Sequence, residues 1–286
     1  MGSATEVTLQ TNEGKHIPQL AFGLYKVSKE ECGNVIQNAI EAGYRHFDCA
    51  PIYGNEKEVG EGLKAVLQKG NVTRSELYIC SKAGNDSVRQ GKSAVRRSIE
   101  TSIEDLCCDY LDIAMIHWPV PDFHLDAYKE LETLVQEGKV RSIGLSNYKP
   151  RDYKDLISAQ ITIQPVVNQM QISAVMYRPD IIAYFADRGI LVASHKSLHR
   201  GDCLDNEIIH KLSIAHSKSP AQIMIRWGVQ KDLVVVCKSS LQNRMIKNRN
   251  VFDFFLTDEE MKSLDSLTKQ EDVVARNEHE VKSKLS

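Results

Sequence analysis

The chain has 286 residues, 42% hydrophobic and 26% charged, enough apolar material to bury a sizeable core in one domain spanning 1–286. A formal net charge of −2 leaves no electrostatic footprint for nucleic acid or an anionic membrane surface. The seven cysteines are odd in number and lack metal-ligand spacing, which points to reduced thiols in an intracellular protein and to no bound metal.

The start, Met1-Gly2-Ser3-Ala4-Thr5-Glu6, is polar and lacks the apolar core of a leader. No run of about 18 apolar residues follows, so no membrane partner is expected. Glu6 stands where a myristoylation signal wants Ser or Thr, and Ser286 follows Ser283-Lys284-Leu285, so the peroxisomal tripeptide is not terminal. A cytoplasmic protein is expected. Residues 7–9 and 16–18 then flank the turn-rich Asn12-Glu13-Gly14-Lys15, which predicts a small hairpin plugging one end of the main fold.

Short runs rich in branched and aromatic residues follow at 19–24, 45–48, 77–81, 111–116, 140–145, 163–168, 189–194 and 233–237, predicting strands. Between them, 33–41, 56–68, 88–106, 127–136, 151–158, 180–187 and 221–230 carry apolar residues at helical spacings of three and four. Gly43, Gly138 and Gly189 stand where helices of this kind close on a left-handed residue. Eight alternating units predict an α/β fold, a (β/α)8 TIM barrel with an N-terminal β-hairpin. The alternative, an open doubly wound sheet, needs a glycine-rich turn after its first strand, and Ala21-Phe22-Gly23-Leu24-Tyr25 does not supply one. Residues 269–286 are almost wholly polar and read as a solvated, partly mobile C-terminal tail.

Four reactive residues fall at or just past the ends of successive predicted strands: Asp48 and Tyr53, then Lys82, then His117. Parallel strands place all their C-terminal ends on one face, so the four converge in one mouth. Hydride reduction of a carbonyl puts negative charge on oxygen, and a proton donor must meet it. Tyr53 would be that acid, Lys82 would lower its phenol from a pKa of about 10, Asp48 would anchor the ammonium, and His117 would orient the substrate oxygen. Taken singly, each has a bland role: a turn-capping Asp, a packed Tyr, a solvated Lys. On the cofactor side, Lys238-Ser239 follow the last strand, and Arg244 and Asn248 recur four residues apart on the next helix. Two cations beside a hydroxyl suit a 2′-phosphate, favouring NADP(H) over NAD(H); the other reading is an exposed basic helix, since Lys247 and Arg249 are there too.

The run Gly43-Tyr44-Arg45-His46-Phe47-Asp48-Cys49-Ala50-Pro51-Ile52-Tyr53-Gly54-Asn55-Glu56 resembles the first signature of the aldo-keto reductase family nearly letter for letter. Ser81-Lys82, Ile116-His117-Trp118-Pro119, Gly144-Leu145-Ser146-Asn147-Tyr148, Asn168-Gln169 and Lys238-Ser239 follow in the family's order, so the resemblance covers roughly residues 7–267. It implies an NADP-dependent oxidoreductase reducing aldehydes or ketones, with Asp48, Tyr53, Lys82 and His117 as the catalytic tetrad. It also implies a cofactor site of Gly23, Ser146, Asn147, Gln169, His195, Ser197, Leu198, Lys238, Ser239, Arg244 and Asn248, in which Ser146, Asn147 and Gln169 hold the nicotinamide carboxamide.

This chain departs from the family where Ser194-His195-Lys196-Ser197-Leu198 replaces Ala-Tyr-Ser-Pro-Leu, where Gln171 replaces Glu, at Leu24, and at Ala83-Gly84. His195 either takes the stacking place of the usual Tyr, giving cofactor binding a pH dependence near the imidazole pKa, or faces solvent on a loop. The segment after His117-Trp118-Pro119 is short and the tail polar, so an open mouth is expected, with Tyr25, Ile52, Trp118 and Tyr148 as its substrate-binding wall. A monomer acting on a small-molecule carbonyl substrate is the main expectation. A cofactor-binding sensor or regulatory subunit with little turnover is the alternative, supported by His195 alone. A barrel hydrolase or lyase is disfavoured by the lack of a metal cluster and by the Lys238, Ser239 and Arg244 group.

Overall fold

The computed structural model describes residues 7–285; residues 1–6 and 286, and with them the leader, myristoylation and terminal-tripeptide expectations, lie outside the described residues. An antiparallel hairpin, β1 (Thr8–Gln10) and β2 (His16–Pro18), comes first. The parallel strands β3 (Leu20–Gly23), β4 (His46–Asp48), β5 (Tyr78–Ala83), β6 (Leu111–Ile116), β7 (Val140–Ser146), β8 (Val167–Gln171), β9 (Leu191–His195) and β10 (Val234–Cys237) then close into a barrel in chain order, β10 pairing back onto β3. Helices α1 (Cys32–Glu41), α2 (Glu56–Gln68), α3 (Asn85–Arg89), α4 (Lys92–Asp105), α5 (His124–Gln136), α6 (Pro150–Ser158), α7 (Pro179–Ala186), α8 (Glu207–Ala215) and α9 (Pro220–Gln230) lie between strands. After β10 come α10 (Gln242–Arg249), α11 (Asp258–Asp265) and α12 (Gln270–Leu285). Among the described residues, no helix is long and apolar enough to cross a membrane.

Side chains alternate across each strand, and this period positions the chemistry. On β4 and β5, Phe47 and Ile79 join the core between strands and helices, while Cys80 points inward with Ala21, Ile113, Met115 and Val236. Lys82, two residues beyond Cys80, therefore also faces the barrel axis, one layer nearer the C-terminal mouth. Gly144 keeps that interior closed, because a Cβ there would meet Ile113, Met115 and Val167 at 2.9–3.0 Å. The hairpin plugs the opposite end as expected: Ile17 joins the interior cluster, and Lys15 Nζ donates to the Arg141 carbonyl at 2.6 Å.

Three element expectations are corrected. The strand expected at 163–168 begins at Val167; Pro165 has no N–H for the ladder, and pairing with β7 starts at Gly144 opposite Val167. The helix expected over 88–106 breaks into α3 and α4 at Gly91, whose φ of 89° only glycine adopts readily. The solvated tail is instead α12, whose buried face consists of Arg276 and Glu280.

Candidate active site

Asp48 ends β4 and Lys82 lies near the end of β5, and both are buried, with Lys82 0% and Asp48 3% exposed. Their charges meet at 2.6 Å from Nζ to Oδ1. Lys82 Nζ also donates to the Cys49 carbonyl at 2.9 Å and to Tyr53 Oη at 3.1 Å, and Tyr53 Oη donates to Asp48 Oδ2 at 3.3 Å. Tyr53 arrives on a short 3-10 turn, Pro51–Tyr53, whose exit needs a left-handed residue that Gly54 supplies at φ 70°. Gln169 Nε2 donates to Asp48 Oδ1 at 2.8 Å, so this residue, expected on the nicotinamide, braces the Asp48 carboxylate in this structure.

The electrostatics follow from burial around one neutralised ion pair. Desolvation works against both charges, yet Asp48 holds Lys82 protonated with its pKa raised, and Lys82 holds Asp48 ionised with its pKa lowered. Tyr53 contradicts the expected lowering: burial and then the Asp48 charge raise its pKa, and Lys82 only partly offsets them. An ammonium already paired with a carboxylate presents little net charge to a third group. Tyr53 is thus a protonated phenol in the free site. Burial, then the charge of Lys82, pushes the His117 imidazole down to about 3, so it is a neutral hydrogen-bonding group at any ordinary pH.

Around this centre the expected cofactor residues occupy two places. Ser146 and Asn147 are buried at and just past the end of β7, and Gln169 is buried in the middle of β8. Asn147 sits at a left-handed φ of 61°, its Nδ2 donating to the His117 carbonyl at 3.1 Å and to Ser146 Oγ at 3.0 Å. Across the barrel, Lys238 follows β10 exposed, its Nζ on the Lys26 carbonyl at 3.0 Å; Ser239 caps the turn into α10, Arg244 is exposed, and Asn248 is buried. Gly23 ends β3, where a Cβ would press Val236 at 3.1 Å, a packing reason for glycine. Ser197 donates its hydroxyl to the Val236 carbonyl at 2.9 Å, and Leu198 beside it is half-buried.

His195 is the last residue of β9, paired with Gln171 of β8 and half-buried, so it does not sit on a solvent-facing loop; Lys196 follows it, also half-buried. Burial, then the charges of Arg276 and Lys196, lowers the His195 pKa well below its usual value, which removes the expected titration near pH 6.5. Burial, then Arg276, Arg200 and Lys26, depresses Lys196 to about 8. Cations gathered closely enough around Lys196 to lower its pKa fit a polyanion such as NADP(H), and the short polar groups of β7 and β8 fit an amide.

Two expectations about the wall are corrected. Tyr148 is fully buried, its hydroxyl 3.3 Å from His124 Nδ1, and packs beneath the mouth, leaving Tyr25, Ile52 and Trp118 with exposed surface there. The mouth is also covered by α12. Arg276 reaches Asn147 Oδ1 at 3.2 Å and lies 5.8 Å from the Trp118 ring centre, a contact that hydropathy patterning missed because the residues involved are charged.

The family model described as the aldo/keto reductase family matches residues 19–269. The chain is 35% identical to the glyoxal reductase of Bacillus subtilis over 274 residues, covering 96% of this chain and 97% of that protein. Among solved structures, the aldose reductase of Schistosoma japonicum aligns with a TM-score of 0.87 at 34% identity, over 92% of this chain and 93% of that one. A Bombyx mori aldo-keto reductase in complex with NADP aligns at 0.86 and 30% identity, over 93% and 94%.

Proposed function

The chain belongs to the aldo/keto reductase family of oxidoreductases, and on that footing we propose that it reduces aldehydes or ketones to alcohols with NADPH. The observation that carries this reading is the chain of contacts from Asp48 through Lys82 to Tyr53, at 2.6 and 3.1 Å, inside the barrel mouth. When bound, NADPH supplies the hydride. Tyr53 turns its proton from Asp48 Oδ2 to the substrate oxygen as negative charge develops there, and Lys82 steadies the phenolate left behind. The neutral His117 ring donates an N–H to the same oxygen and sets its angle. Ser146, Asn147 and Gln169 hold the nicotinamide amide, His195 lies beside that ring, and Lys238, Ser239, Arg244 and Asn248 take the 2′-phosphate. Lys196 adds charge for the phosphates, and Tyr25, Ile52 and Trp118 line the substrate's approach. Because α12 of the same chain covers the mouth, we read the protein as one domain acting as a monomer.

The test is a panel of aldehydes and ketones followed by NADPH absorbance loss, with NADH run alongside. Turnover with NADPH preferred is expected. Tight NADPH binding without turnover on any carbonyl would favour the sensor reading and overturn this one.

A further inference from the structure

We infer that Arg276 is the docking cation for an anionic substituent, a carboxylate, on the carbonyl substrate; the inference rests on reading this mouth as a carbonyl-reducing site. Arg276 comes from α12 and is 8% exposed. Its Nη2 bond to Asn147 and its position 5.8 Å from the Trp118 ring put a guanidinium beside the residue that follows His117.

This charge is poorly matched. The carboxylate joined to it, Glu280, is 0% exposed and is shared among three cations: Arg276 Nε at 3.0 Å, Arg178 Nη1 at 2.7 Å and Lys149 Nζ at 3.3 Å. A second anion delivered by a ligand would offset the excess. Arg276 also has donors to spare. Of its five N–H groups, Nε goes to Glu280, one on Nη2 to Asn147, and one on Nη1 lies 3.4 Å from His279 Nδ1. No hydrogen bond among the described residues takes the remaining N–H on each Nη, and two such donors suit a carboxylate. The cofactor's 2′-phosphate belongs elsewhere on this reading, because Lys238 and Arg244 follow β10, which lies opposite β6 in the closed strand order, whereas Trp118 follows β6. Arg276 also acts on Lys196, so NADPH affinity measured in the Arg276 variants separates the substrate's anion from the cofactor's remaining phosphates.

The test compares kcat/KM for 4-carboxybenzaldehyde and 4-methylbenzaldehyde in wild type and Arg276→Met. The carboxylate-to-methyl ratio is expected to fall about 10- to 100-fold, mainly through KM, the worth of a charge-assisted hydrogen bond. Arg276→Lys, which keeps a point charge and loses the fork, should lower the ratio by a smaller factor, and it stands in should the Met variant fail to fold. An unchanged ratio, or a rise in the NADPH dissociation constant matching the rise in KM, would overturn the inference. A second readout is independent of turnover: terephthalate, an unreactive dicarboxylate, should quench Trp118 fluorescence saturably in wild type and weakly in Arg276→Met. If neither aldehyde is reduced, the carbonyl-reductase reading fails while quenching still supports the anion site; absence of quenching in wild type overturns that site.

Discussion

At the scale of single residues, the site works by holding charges that would be expensive apart. Lys82 is fully buried against Asp48, so Lys82→Met leaves an unpaired buried carboxylate and should lower stability by about 3–5 kcal/mol, measured by urea unfolding. A loss under 1 kcal/mol would mean that water reaches Asp48. The pH behaviour follows from the shifts. His117 near 3 and Tyr53 raised above its usual value leave no tetrad group titrating between about pH 5 and 9, so kcat for reduction should be flat there. Lys196 is different. Its charged form attracts the cofactor's phosphates, and with a free-state pKa of about 8 that charge is lost as pH rises, so the NADPH dissociation constant should climb above pH 8 by up to about tenfold per unit. Lys196→Met should remove the slope, and fluorescence titration at pH 7, 8 and 9 measures it. The gathering of Asp48, Tyr53, Lys82 and His117 in one place was legible in sequence because strand period and order put them on one face. The direction of the Tyr53 shift was not, since it depends on Asp48 neutralising Lys82 and on burial that spacing does not reveal.

At the scale of elements, apolar periodicity located the barrel strands and the helices between them, and it failed where polar groups do the packing. In α12 the residues facing the barrel are Arg276 and Glu280, one turn apart, with Val273, Asn277 and Lys284 half-buried on the same face. That is a helical period written in charge. Asn85 and Arg89 of α3 fasten its end through the Ser283 and Lys284 carbonyls, and Lys284 pairs with Asp152 of α6. Glu280→Ala leaves Arg178 and Arg276 without their shared carboxylate. The helix should then detach locally, seen as limited proteolysis within 270–285 under conditions where the wild type resists and the barrel stays folded. Equal resistance in the two proteins would show that α12 is held by other contacts.

At the scale of the whole molecule, the strands bring to one mouth a phenol from β4's exit, an ammonium from β5, an imidazole from β6, short polar side chains from β7 and β8, and cations from β9 and β10. The fold itself is indifferent to function, and function lies in this convergence. Ligand linkage gives a global test: NADPH at 100 times its dissociation constant should stabilise the protein by about 2.7 kcal/mol, read as a rise in Tm. NADH at the same concentration should give a smaller rise, and Arg244→Ala should erase most of the difference. The central claim is that Tyr53, set by Lys82 and Asp48, delivers the proton during carbonyl reduction. Its most direct measurement is kcat for NADPH-dependent aldehyde reduction in wild type and Tyr53→Phe, with NADPH affinity determined in both. A loss of about 10²- to 10⁴-fold in kcat with nearly unchanged NADPH affinity is expected; a Tyr53→Phe protein that keeps wild-type kcat would contradict it.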